Sequence, residues 1–150
     1  MKLHHVKAHG ALYPMLRDSD ELAEAVAEAL VDLGSPLSSF PAPVATTAIG
    51  RALAARGLEV VGEIYPDLGY DDDGNLLLQR SKNHTDPDEA AAMVSRYLAD
   101  GIVISNNGKK ISMEAESICV HGDGPNAAEV ANAIRGAVEG AGCKVETRAG

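Results

Sequence analysis

Ala48-Ile49-Gly50-Arg51-Ala52-Leu53-Ala54-Ala55-Arg56-Gly57-Leu58-Glu59-Val60-Val61-Gly62-Glu63-Ile64 reads as a helix, a stop and a strand. Ala48 to Arg56 reads as a short helix. Gly57 ends the run, and the β-rich Leu58 to Ile64 follows. Upstream, Val44-Ala45-Thr46 reads as a short strand, so the segment forms one strand–helix–strand unit.

The same alternation continues in both directions. Leu3 to Lys7 reads as a first strand and residues 9 to 17 as a loop. Asp18 or Ser19 caps a helix that presents Leu22, Val26, Ala29, Leu30 and Leu33 on one face and stops at Gly34. Ser35 to Pro43, with its prolines and serines, reads as a loop. After Ile64 comes an acidic loop, Tyr65 to Gly74, with a tight Asp73-Gly74 turn and a short strand over Asn75 to Gln79. Thr85-Asp86-Pro87 opens a helix to about Ala99. Gly101 to Ser105 and Lys110 to Met113 pair as a hairpin around Asn106 to Lys109. Ala115 to His121 is a strand, Pro125 or Asn126 starts a helix ending near Gly140, and Cys143 to Thr147 is a final strand. Strands alternating with helices imply an α/β fold with a mainly parallel sheet, in a single domain over residues 1–150.

The 150 residues suffice for one substantial core. A net charge of −9 with no Lys/Arg cluster argues against nucleic acid as a partner. No apolar run approaches the ~18 residues of a membrane helix, and no signal-peptide pattern opens the chain, so the expected location is cytoplasmic. The two cysteines, Cys119 and Cys143, read as reduced thiols in the core, with a disulfide as the alternative.

In α/β folds chemistry gathers at the carboxyl ends of strands. That rule selects His9, Asp67 and the group His121-Gly122-Asp123, with Thr46 and Thr47 beside them. His9 is suited to general base, general acid or metal ligand, or is a loop histidine bonded to backbone. Gly10 allows a ligand close to the backbone. Lys7 holds a carboxylate or is a solvated strand-end charge. Asp123 is a base, a ligand or a helix cap. Arg80 clamps a carboxylate or phosphate, or makes a surface salt bridge. Asp71, Asp72 and Asp73 read as a solvated turn, because calcium-loop spacing is absent. His4, His5 and His84 are weaker candidates. No Walker loop, H-E-x-x-H or G-x-S-x-G is present.

Val6-Lys7-Ala8-His9-Gly10-Ala11-Leu12-Tyr13 resembles the V-K-P-H-G-A-L-Y signature of the LamB/YcsF family, the A-type subunits of 5-oxoprolinase. Glu63 to Tyr70 resembles its E-x-F-A-D-R-x-Y segment, with Leu68 in place of arginine. Gly74-Asn75-Leu76 with Arg80 resembles G-x-L-x-x-R. Ser117 to Ala127 resembles T-x-C-V-H-G-D-x-P-x-A. The family's N-A-D-x-G-E, G-F-H-A-G-D and A-H-P motifs are absent, so the chain corresponds to the family's C-terminal part.

The resemblance implies a partial or deformed (β/α) barrel of the glycoside hydrolase/deacetylase kind. It implies a hydrolase component contributing to ATP-dependent opening of the lactam 5-oxoproline to glutamate. ATP enters through the complex, and B- and C-type subunits are the implied partners, with an N-terminal half chain or a second copy completing the barrel. On that reading His9, Asp67, His121 and Asp123 are catalytic, and Lys7, Gly10, Arg80 and Gly122 bind substrate. Two alternatives are a non-catalytic assembly half of a split barrel, and an amidase or deacetylase dependent on a divalent metal held by His9, His121 and Asp123.

Overall fold

The computed structural model describes residues 4–34, 37–41, 43–78 and 83–146. The elements in order are β1 (Val6–Lys7), α1 (Leu12–Asp18), α2 (Asp20–Asp32), β2 (Leu37–Pro41), α3 (Ala48–Ala55), β3 (Glu59–Ile64), β4 (Gly69–Tyr70), β5 (Leu76–Leu77), α4 (Pro87–Asp100), β6 (Ile102–Ile104), β7 (Lys110–Ser112), β8 (Ser117–Ile118) and α5 (Ala127–Gly140). They form two compact units. One runs to Glu63 and takes in Glu114–Ser117. The other holds Ile64–Met113 and resumes at Ile118.

A four-stranded sheet has the order β1-β2-β3-β8. β1 pairs β2 and β2 pairs β3, both parallel, with Lys7 opposite Ser39, Ser39 opposite Val61, and Pro41 opposite Glu63. The α/β class and the parallel sheet expected from the alternation are therefore present.

In the first unit α1, α2 and α3 pack on one another. Leu16, Ala23, Ala27, Ile49 and Leu53 are fully buried among them. The Ser19 hydroxyl accepts the Leu22 N–H at 3.2 Å and caps α2, and Asp20 and Glu21 complement its positive end. The buried stripe of α2 is Ala23, Ala27 and Leu30, whereas Leu33 is exposed, so the expected apolar face is shifted.

Two expectations in this unit are overturned. Residues 12–18 are helical rather than loop. Pro14 lies in the first turn, where amides have no intrahelical acceptor, so its missing donor costs nothing there. The second strand is Leu37–Pro41, not Val44–Thr46. Pro41 ends that strand, where proline is tolerated. Val44 instead begins a turn: its carbonyl accepts the Thr47 N–H at 3.0 Å and the Thr47 hydroxyl at 2.6 Å, and that hydroxyl accepts the Gly50 N–H at 3.1 Å. Thr47 is thus the cap of α3.

In the second unit α4 and α5 pack together through Ala90, Val94, Val130 and Ile134. Asp86 caps α4 through the amides of Asp88 and Glu89. Gly101, in the left-handed conformation at φ 68°, closes α4 as a non-glycine residue would not. β6 and β7 form the expected hairpin, and β4 pairs antiparallel with β5. The strand expected over Ala115–His121 is confined to Ser117–Ile118. Residues 143–146 form no strand and are exposed, and Thr147 lies outside the described residues. Both cysteines are free thiols as expected. Only Cys119 is partly buried, and Cys143 is exposed rather than in the core. Among the described residues no helix is long and apolar enough to cross a membrane.

Gly62 is where β3 meets the returning chain: the Glu116 N–H donates to the Gly62 carbonyl at 3.0 Å, and a Cβ at Gly62 would stand 2.3 Å from the Glu114 carbonyl oxygen. Backbone cannot yield as a flexible side chain does. We therefore expect Gly62→Ala to lower stability by about 1–3 kcal/mol, the usual cost of overpacking. Urea unfolding checks this, and an unchanged midpoint would contradict the close approach.

Candidate functional site

Each unit places sequence-selected residues in a polar cluster. In the first, parallel registry places Lys7 level with Val61, and Glu63 lies two residues further along β3 on the same face. The Lys7 ammonium and the Glu63 carboxylate form an ion pair, and the Ser117 hydroxyl donates to Glu63 Oε1 at 3.1 Å. The Lys7 and Glu63 side chains are only 15% and 7% exposed, so Lys7 is not a solvated strand-end charge. His9 and Gly10 lie just beyond β1 and are exposed. The His9 carbonyl accepts the Leu12 N–H at 3.3 Å.

In the second unit Tyr65-Pro66-Asp67-Leu68 is a β-turn, closed by the Leu68 N–H on the Tyr65 carbonyl at 3.2 Å. Proline takes the second position, which its fixed φ suits. No described non-glycine residue has positive φ, so Asp67 in the third position excludes a type II turn. The turn holds the Asp67 side chain at 6% exposure against His121. Asp67 Oδ2 accepts both the His121 backbone N–H at 3.0 Å and His121 Nδ1 at 2.8 Å. An ionised carboxylate only accepts, so Nδ1 carries a proton there and Nε2 of a neutral ring keeps its lone pair. The imidazole is 31% exposed. The Tyr65 ring lies 5.8 Å from it, centroid to centroid, tilted by 34°. Such a pairing fixes the orientation of the imidazole and leaves Nε2 chemically able to take or give a proton.

Gly122 and Asp123 follow His121 and are exposed. Asp123 does not cap α5. The cap is Asn126, whose side chain instead bridges to Thr85, donating to its carbonyl at 2.7 Å and accepting its N–H at 3.2 Å. Arg80 lies outside the described residues.

The acidic turn is more than a solvated run. Asp71 Oδ1 accepts the amides of Asp73 and Asn75 at 2.9 and 2.8 Å. Asp72 bonds the Ser105 hydroxyl and the Asn107 side chain. The Ser105 bond chiefly, with Asn107 aiding, holds the Asp72 carboxyl below the usual carboxylate range. Among the described residues no group of three or more His, Cys, Asp or Glu side chains is arranged to hold a metal ion.

Glu63, Ser117 and Tyr65 were not candidates from sequence. A glutamate inside the apolar run Val60 to Ile64 was the available signal for Glu63, since a charge facing a buried side must be paired.

The LamB/YcsF family profile matches residues 1–150. The chain belongs to the LamB/YcsF family. It is 43% identical over 149 residues to an A-type 5-oxoprolinase subunit of Bordetella bronchiseptica, covering 97% of this chain and 58% of that protein. It is 41% identical to the A-type 5-oxoprolinase subunit of Thermus thermophilus, with the same coverage. A crystal structure of the lactam utilization protein from Thermus thermophilus superposes with a TM-score of 0.81 at 36% identity, over 97% of this chain and 57% of that one. The chain thus spans rather more than half the length of these relatives.

The Lys7–Glu63 pair yields a test. Removing one partner of a buried pair strands the other charge, at about 3–5 kcal/mol, whereas replacing both with apolar groups is often neutral. Glu63→Leu alone should therefore destabilise far more than Glu63→Leu combined with Lys7→Met. Equal losses in the single and double variants, by denaturant titration, would show that the charges are not coupled.

Proposed function

We propose that this chain is a hydrolase component of a 5-oxoprolinase, acting in the ATP-dependent opening of 5-oxoproline to glutamate. The observation that carries the reading is the Asp67–His121 pair, in a chain 43% identical to a relative named for that activity.

Opening a lactam needs a proton removed from the attacking water and a proton delivered to the departing ring nitrogen. His121 Nε2 does both in turn, as base and then as acid. Asp67 keeps the ring oriented and balances the imidazolium that forms between the two steps. His9 and Asp123 are retained as catalytic candidates, and Lys7, Gly10, Arg80 and Gly122 as substrate-binding candidates. Because the Lys7 ammonium already faces Glu63, a substrate carboxylate reaching it would compete with that partner.

ATP supplies the driving force for opening an unstrained amide ring. The described residues around His121 do not fit it: Asp67 bonds the imidazole and Asp123 follows two positions on, and both carboxylates would repel a triphosphate. We assign nucleotide binding to the B- and C-type subunits and derive no step through it here. The reading takes the parallel sheet as an arc of a deformed (β/α) barrel and both units as one domain matching the C-terminal part of the family. It places the protein in the cytoplasm, acting beside the B- and C-type subunits.

The test is glutamate release from 5-oxoproline with ATP, partner subunits and an N-terminal half chain supplied. His121→Gln should lower the rate by about 10²–10⁴-fold, the range of general acid–base catalysis. Asp67→Asn should also lower it, by leaving the ring in the wrong tautomer. No glutamate from the complete mixture, with the chain folded, would sink the proposal.

A further inference from the structure

The turn that carries Asp67 is held by a residue outside the Asp67–His121 pair. Tyr70 is fully buried, and its hydroxyl accepts the Tyr65 backbone N–H at 2.8 Å, spanning the turn from β4 back to its first residue. The same turn is tied internally by the Leu68 N–H on the Tyr65 carbonyl at 3.2 Å. Its far end is seated under the β6–β7 hairpin. The Asn106 N–H donates to the Tyr70 carbonyl at 2.9 Å, and a Cβ at Gly69 would come within 2.6 Å of Asn106 Oδ1. Next to it, Asp72 bonds the hairpin residues Ser105 and Asn107, and the Lys109 ammonium bonds the Asp72 carbonyl at 2.7 Å.

We propose that Tyr70 is a positioning residue for the reaction: its hydroxyl clamps the Tyr65–Leu68 turn so that Asp67 meets both donors of His121. A buried amide that loses its acceptor seeks another, and the turn must shift to supply one. Tyr65 opens this turn and also packs its ring on the imidazole. A shift at Tyr65 therefore acts on His121 twice, through Asp67 and through the ring contact. Displacements of this size matter, since an error of about 1 Å in a catalytic group costs on the order of 10²-fold.

The inference rests on the proposed function for its kinetic consequence only. Tyr70→Phe keeps the ring in the core and removes the hydroxyl. The positioning role predicts that kcat falls at least tenfold with KM unchanged. It also predicts faster hydrogen exchange at the amides of Tyr65 and His121, while Val94 in α4 keeps its protection. The His121 amide reports Asp67 directly, because Asp67 is its acceptor. Unchanged exchange at both amides, or acceleration everywhere including Val94, would overturn the inference. If Tyr70→Phe does not fold, the wild-type chain decides: a Tyr65 amide exchanging as fast as an exposed loop amide excludes the clamp. Local acceleration in a complex that opens no lactam at all would leave the clamp standing and overturn the functional reading instead.

Discussion

One carboxylate oxygen, Asp67 Oδ2, accepts two hydrogen bonds from the same residue, the backbone and the ring of His121. The backbone bond fixes where the chain passes and the ring bond fixes how the imidazole is turned. Together they remove the two freedoms that would otherwise blur a half-buried histidine. Two bonds to a charged acceptor are each stronger than a neutral pair. Much of the second unit serves that oxygen. The proline-containing turn presents it, Tyr70 clamps the turn, Asn106 holds β4 behind it, and Ser105 and Asn107 hold Asp72 just beyond.

The first unit solves a different problem. Glu63 faces a buried side of β3 and is matched by Lys7 and Ser117. Such a pair contributes little net stability, because desolvation offsets most of the attraction. Its physical effect is registry: Lys7 on β1 and Ser117 on β8 each reach Glu63 on β3, so a slip of one residue would strand a charge.

Much of this was legible in the residues, and the reasons are local. Pro87 behind Asp86, Gly57 behind Arg56, and Asn106 to Lys109 between two apolar runs are short-range signals, and each element they predicted is present. The parallel sheet followed from the alternation. What failed depended on partners distant in sequence or on a competing local bond. Leu37–Pro41 is a strand because β1 and β3 flank it, although its own serines and prolines read as loop. Val44 has the β-branched character of a strand residue, yet its carbonyl is used by Thr47 to cap α3. At the site, His121 and Asp67 were each selected by position at a strand end, but their bond spans 54 residues and no local pattern encodes it. Glu63 and Tyr70 were missed because their roles are those of partners to other residues. The signatures containing His9, Asp67 and His121 led to the family, and the family profile over the whole chain bears that out.

The central claim is that Asp67 holds His121 with the proton on Nδ1 and the lone pair on Nε2. Nitrogen-15 spectra of the imidazoles, with His121 assigned by its loss in His121→Gln, test it most directly. Above the pH at which the ring is charged, the wild-type chain should show His121 as the Nδ1-protonated tautomer, and Asp67→Asn should lose that preference. A wild-type His121 protonated on Nε2 would contradict the claim, because the bond to Asp67 Oδ2 would then not exist.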